Sequence, residues 1–300
     1  MAGAYSETKK LISRPKNLGP VYSSPMTIWF TVFFLMPLLI ILVYSFLKKD
    51  IFGGVTKEFS LNAYKALINP KIAVITLRTL FISLAAMILT IIVALPCGYY
   101  MARSRNQTFL LLLIIIPFWT NFLIRVFAWI NILGNDGFIN MFLLRTGIIS
   151  APVHLLFNMK AVVLVLIYMY LPYAILPLFS SIDKFDFSLL EAAQDLGATK
   201  LQAVFKVLLP NIKGGLWTAV LFTFIPMFGA YAVPTLVGDI ESYMLGNAIA
   251  DYLNRARDWP LASAISMVLT AVTTVGIIWI LMIQRNEAKR RALSKSAKGI

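Results

Sequence analysis

This chain of 300 residues is 59% hydrophobic and only 13% charged, with a mean hydropathy of +0.80. A soluble chain carries about 25% charged residues, so the composition excludes an ordinary water-soluble globule and points to the bilayer as solvent. The net charge of +14, from 27 Lys and Arg against 13 Asp and Glu, is then a matter of membrane topology and not a nucleic-acid footprint.

A transmembrane helix needs roughly 20 apolar residues, and six stretches qualify, near 25–47, 73–101, 109–133, 161–181, 214–237 and 261–283. An all-α, polytopic membrane protein is expected. It divides into an N-terminal arm at 1–24, a transmembrane domain at 25–284 with a polar loop at 182–213, and a basic tail at 285–300.

The arm carries Lys9, Lys10, Arg14 and Lys16. The apolar run after it is too long for a signal peptide and lacks a small-residue cleavage site, so it reads as a retained first span. Most basic residues outside the spans then fall on the arm's side. They are the arm itself, Arg103, Arg105, the lysines of the polar loop and the tail. Because cytoplasmic loops hold the excess of Lys and Arg, both termini are expected in the cytoplasm. The first outer loop is also basic, with Lys48, Lys49, Lys57, Lys65 and Lys71. Anionic lipid headgroups suffice to explain Lys289, Arg290 and Arg291 in the tail.

The first five spans contain prolines: Pro37, Pro96, Pro117, Pro172 with Pro177, and Pro226 with Pro234. Each removes a backbone donor, and the freed carbonyls are tolerated where a helix faces protein or a wet cavity. Any one is a packing kink, but together they favour a bundle around a path or a moving element. The run Ile225-Pro226-Met227-Phe228-Gly229-Ala230-Tyr231 is the leading stretch to line it. Cys97 stands alone, so no disulfide is available, and the single His154 reads as an interfacial polar residue.

The polar loop after the fourth span reads residue by residue. Ser188-Leu189-Leu190-Glu191 fits a capping box. Gly197 supplies a left-handed helix stop. Thr199-Lys200-Leu201-Gln202 repeats the box, and Pro210 follows Leu209 where the second helix should end. Leu201, Val204, Phe205 and Leu208 make one apolar stripe. The expectation is helix, glycine turn, helix. One reading rests two interfacial helices on the membrane, with Glu191 only a cap. The other makes the element a lever for a soluble partner, with Glu191 and Asp195, four apart, on one exposed face.

The run Glu191-Ala192-Ala193 through Asp195 to Gly197, with Leu209-Pro210, resembles the EAA signature of ABC importer permeases, the loop that docks on the cytoplasmic ATPase. The run from Pro117 through Trp119 and Asn121 to Arg125, and Arg257-Asp258-Trp259-Pro260, look like the spermidine/putrescine permeases of that superfamily. The resemblance spans the first to the sixth span. It implies a permease subunit that moves a polyamine by alternating access. Its implied partners are a second permease subunit as a heterodimer, two cytoplasmic ABC ATPase subunits and an extracytoplasmic substrate-binding protein, with the bacterial inner membrane as location. Glu191 would meet the ATPase and Gly197 would make the turn. No G-x-x-x-x-G-K-[ST] phosphate loop occurs in the sequence. No cofactor is therefore expected on this chain, and Mg-ATP is assigned to the partner ATPase.

A polycation is attracted to aromatic faces and acidic groups. Trp119, Asn121, Arg125, Tyr168, Phe228 and Tyr231 are candidates for the path, with Asp239 and Glu241 at the outer end of the fifth span. The spans hold no central acid. Arg78, near the outer end of the second span, reads as a snorkelling side chain. Arg125 lies inside the third span, where a charge is by default a functional position. With a polyamine as cargo it is expected to pair with a carbonyl or an acid, or to snorkel. With Arg125 on the path instead, an importer of an anion (phosphate, sulfate or phosphonate) is the alternative. A membrane enzyme would need a convergent acid–base or metal constellation, and His154 with Asp136 is the sole hint of one. No metal site is expected.

Overall fold

The computed structural model describes residues 19–297, with side chains over 22–282 and at 284 and 285. The basic N-terminal cluster, Lys9 to Lys16, lies outside the described residues. The first span is α1 (Gly19–Phe30), a π-helical turn at Thr31–Leu35, and α2 (Met36–Ser45). The Met36 N–H donates to the Thr31 carbonyl, five residues back, just before Pro37. A proline ring collides with the carbonyl four back in a regular α-helix. One extra residue in the turn moves that carbonyl aside, so the helix passes the proline.

The loop after the first span folds as an antiparallel hairpin, which the sequence did not signal: β1 (Leu47–Lys49) and β2 (Val55–Phe59), turning at Gly53 and Gly54. It is tied to the opposite end of the chain. The Gly54 N–H donates to the Arg257 carbonyl at 3.0 Å, Lys49 pairs with Asp258 at 3.3 Å, and Tyr44 stacks on Trp259 at 6.0 Å. The Asp258 carboxylate also accepts from the Leu261 N–H, capping the last helix. Thus 257–260 is an anchor where the last span begins.

After α3 (Asn62–Ala66), the second span is α4 (Pro70–Arg103), capped by Asn69, whose side chain accepts from the Lys71 N–H. The single third span expected at 109–133 is instead broken. α5 (Gln107–Phe118) stops after Pro117, and α6 (Phe122–Leu133) starts from Asn121, whose extended backbone and side-chain acceptor on the Leu123 N–H open a new helix. With α7 (Phe138–Arg145), the segment having a span's length and hydropathy is Phe122–Arg145. The fourth span, α8 (Met159–Asp183), agrees with its expected bounds.

The polar loop forms α9 (Ser188–Asp195), α10 (Lys200–Ala203), a π turn at Val204–Leu208 and α11 (Leu209–Asn211). Its axis then bends 78° into α12 (Lys213–Phe228). The fifth span breaks at Gly229–Tyr231 before α13 (Ala232–Val237). A 3-10 turn at Ile240–Ser242 leads to the amphipathic α14 (Leu245–Asn254) and to α15 (Trp259–Ala297), whose helix continues through the basic tail. By length and hydropathy five helical segments can cross a bilayer, the α6–α7 pair among them, or six if the segment that bends by 78° into α12 is one span, against six expected at partly different bounds.

α8 is the central post. Val162, Val165, Leu166, Leu178 and Ile182 are all inaccessible to solvent, and α4 and α12 pack along it. Without a hydrophobic drive between helices in lipid, close approach through small residues holds such contacts. Gly215 of α12 sits so near α8 that a Cβ there would overlap the Ser181 hydroxyl and lie 2.8 Å from the Pro177 carbonyl.

Candidate functional site

The helix–turn–helix element is built much as its sequence dictates, with three corrections. The Ser188–Glu191 capping box does not form: the helix starts from Phe187, and the Asp186 carboxylate accepts from the Ser188 N–H. An acid two residues ahead supplies the acceptor first, which leaves Glu191 exposed. Nor does Pro210 stop the second helix. The Leu209 N–H donates to the Val204 carbonyl, five back, and the helix passes through to Asn211 as it does at Pro37.

The glycine turn and the second capping box form as expected. Gly197 has φ +90°, its N–H donates to Gln194 and the Ala198 N–H to Ala193, the paired bonds of a Schellman stop. The Thr199–Gln202 box closes with bonds of 3.2 and 3.0 Å. The apolar stripe splits in two. Leu190, Ala203 and Leu208 are buried in one cluster with Met101 of α4, Ile182 of α8 and Ala219 of α12. Leu201 and Phe205, with Leu196 beside the turn, stay 71%, 64% and 90% exposed. Glu191, Ala192 and Asp195 are exposed as well, and Ala193 is half-buried. One face of the element is thus keyed into three spans and the other is a free surface of apolar groups and two carboxylates. Phe187 adds a second link: its ring meets Tyr99 of α4 at 5.9 Å and Arg103 at 5.3 Å.

At the opposite end, the break in the fifth span opens a cavity of about 330 Å³ lined by Tyr231, Thr235, Asp239, Tyr243, Asn247 and Asp251 among others. Asp239 is held by the Ser242 N–H and hydroxyl at 2.9 and 2.7 Å. Asp251 accepts from the Tyr243 hydroxyl at 2.7 Å and meets Arg255 at 3.4 Å. Burial, and then this hydrogen bond, push the Tyr243 phenol up from its ordinary pKa, so it stays a neutral donor. Glu241 is exposed and lies outside the cavity lining. Arg78 has a protein acceptor: its guanidinium donates to the Ile240 carbonyl and pins α4 to this corner. Sequence reasoning missed Tyr243, in the link after the 3-10 turn, and Asn247 of α14, because that segment follows the break and packs back on it.

The aromatic candidates divide. Phe228 is buried against Ile72, Leu245, Leu261 and Ile265 and stacks on Phe224, which makes it a packing residue. Trp119 is 82% exposed at the α5–α6 break, and Asn121 is the cap of α6. Tyr168 meets Trp129 edge-on at 5.3 Å, while Tyr170 reaches the Pro226 carbonyl at 3.5 Å. Arg125 differs from expectation. No carbonyl or acid within the described residues accepts from its side chain, and its Nε is buried without a partner. Its guanidinium carbon lies 5.3 Å from the Phe118 ring centre and 6.0 Å from that of Phe122.

The fold is a bundle of apolar spans that carries, on one side, a helix–glycine–helix element keyed into three of them. Known proteins make that specific. Residues 90–289 match the family described as binding-protein-dependent transport system inner membrane component. The spermidine/putrescine transport system permease protein PotB of Escherichia coli (strain K12) is 36% identical over 246 residues, covering 81% of this chain and 90% of that protein. PotB of Haemophilus influenzae is also 36% identical, covering 81% and 86%. The inner membrane ABC transporter permease protein YdcU of Escherichia coli (strain K12) is 31% identical over 268 residues, covering 84% and 83%. In fold, a chain of a bacterial ABC transporter involved in the import of the acidic polysaccharide alginate superposes with a TM-score of 0.72 at 14% identity, covering 94% of this chain and 98% of that one. This chain belongs to the binding-protein-dependent transport permease family.

Proposed function

We propose that this chain is the permease subunit of an ABC importer that moves a polyamine, spermidine or putrescine, across the bacterial inner membrane into the cytoplasm. The observation that carries the reading is identity of 36% to polyamine permeases across 81% of the chain. In it both termini face the cytoplasm, a second permease subunit completes the path, and an extracytoplasmic binding protein delivers cargo. Two ATPase subunits dock on 182–213 and bind Mg-ATP.

The geometry supplies a mechanism. ATPase closure pushes on Leu196, Leu201, Phe205, Glu191 and Asp195, the exposed face. The buried face of the same element shares a cluster with α4, α8 and α12, so its displacement tilts those spans together instead of bending a loop. Gly229–Tyr231 interrupts the fifth span beside the outer cavity, where it gives α12 freedom to tilt while α13 stays seated. Tyr231, Asp239 and Asp251 there suit an entering ammonium. Trp119, exposed at the α5–α6 break, and Tyr168, in the lining of a smaller cavity, offer further aromatic faces.

Uptake of labelled spermidine and putrescine by cells with and without this chain tests the reading. Loss on deletion, in cells with no second polyamine system, and restoration on re-expression are the expected results. Unchanged polyamine uptake with lost uptake of phosphate, sulfate or phosphonate would replace it with the anion reading, in which Arg125 meets cargo.

A further inference from the structure

Arg125, in the Phe122–Arg145 span, is a charge whose side chain meets no carbonyl or acid among the described residues. It lies in the first turn of α6, with Nε sealed from solvent and no acceptor in reach. The rings of Phe118 and Phe122 give its guanidinium a cation–π surface. Such contact recovers only part of the hydration an ion loses on burial. A cavity of about 140 Å³, lined by Phe118, Arg125, Tyr168, Leu171 and Pro172 among others, opens beside it. Its volume is several times the roughly 30 Å³ share of one water, which is room for a short side chain.

The missing partner is identified by elimination. α4, α5, α6, α12 and α13 contain no Asp or Glu. The one acid of α8, Asp183, is its last residue and accepts from Gln107. A polycationic cargo repels a guanidinium, an exclusion that rests on the polyamine reading. A second copy of this chain fails for the same reason as the first: its spans hold no acid at this depth. Leu123, Ile124 and Phe127, around Arg125 on α6, are exposed.

We infer that this face of α6 is the contact with a different permease subunit, which places an Asp or Glu from one of its own spans against Arg125. The site is complete only in the heterologous pair. The ion pair then fixes both the identity and the depth register of the partner, because an unpaired charge at this depth is costly.

The test uses the assembled importer in native membranes. R125K puts a primary amine where the guanidinium was, and dicyclohexylcarbodiimide activates carboxylates inside the bilayer. Amine and carboxylate condense to an amide, and the carbodiimide takes up the water to leave as its urea. The expected result is a covalent adduct of this chain with the second permease subunit in R125K, absent in wild type and in R125M. Peptide mass spectrometry should place the bond at an acid within a partner span. No adduct, or an adduct within this chain or to any other protein, overturns the proposal. Should R125K fail to accumulate, a photoreactive benzophenone side chain at Ile124 serves instead. Cross-linking to the second permease supports the proposal, and cross-linking to lipid alone overturns it. Wild-type uptake of labelled spermidine against phosphate is measured alongside, so a failure of the polyamine reading shows separately from the cross-link.

Discussion

Gly197 separates two reasons for a glycine in the proposed coupling element. At φ +90° it occupies backbone space that L residues rarely enter, yet a Cβ built on it meets nothing within 4 Å. The cost of a side chain within this chain is therefore conformational and not steric. For a β-branched residue held in such a region it is of order 1–3 kcal/mol, roughly five- to over a hundredfold against the native turn at 1.4 kcal/mol per tenfold. Asn tolerates positive φ far better. Gly197→Val should thus lose most coupled uptake and stimulated ATP hydrolysis while the chain still reaches the membrane. Gly197→Asn should retain most of both. Assays of ATP-dependent uptake and ATPase rate, normalised to membrane level, make the comparison. Wild-type transport by Gly197→Val would refute the lever. Equal loss in Gly197→Asn would refute the backbone explanation, because the open space beside Gly197 would then have to be filled by the docked ATPase.

Glu191 caps nothing in the fold and is exposed, so Glu191→Gln should leave thermal stability unchanged and lower stimulated ATPase activity severalfold. A shift in unfolding temperature with normal coupling would show the reverse. Phe205→Ser removes an exposed ring without opening the core and should reduce co-purification of the ATPase, with no effect on membrane level. Undiminished co-purification would exclude that face as the docking surface. Gly215→Ala places a Cβ against Ser181 and Pro177, an overpacking worth about 1–3 kcal/mol. It should lower the thermal midpoint of the detergent-solubilised chain by several degrees, and an unaltered midpoint would contradict the close α8–α12 contact.

Regularity decided what could be read in advance. The spans are legible because apolar length alone defines them, and the Gly197 turn and Thr199–Gln202 box because their bonds lie within six residues of chain. Local competition already defeats the reading at Ser188, where Asp186 reaches the same N–H first. Pro210 misleads because a π turn absorbs the ring that a regular helix would reject. The break at Trp119–Asn121 hides inside an unbroken apolar run, since hydropathy carries no record of backbone direction. The cavity at the fifth-span break depends on α14 folding back on α13, and the anchoring of 257–260 depends on a hairpin some 200 residues earlier. Such contacts leave no mark on either sequence segment alone. Arg125 was legible as an anomaly, but its lack of a hydrogen-bond acceptor among the described residues required coordinates.

The most direct measurement is ATP-driven uptake into proteoliposomes holding this chain with its partner permease, ATPase subunits and binding protein. The account predicts that labelled spermidine or putrescine accumulates with ATP, that phosphate and sulfate do not, and that omitting this chain abolishes accumulation. Accumulation of the anions in place of the polyamines, or polyamine uptake undiminished without this chain, would contradict it.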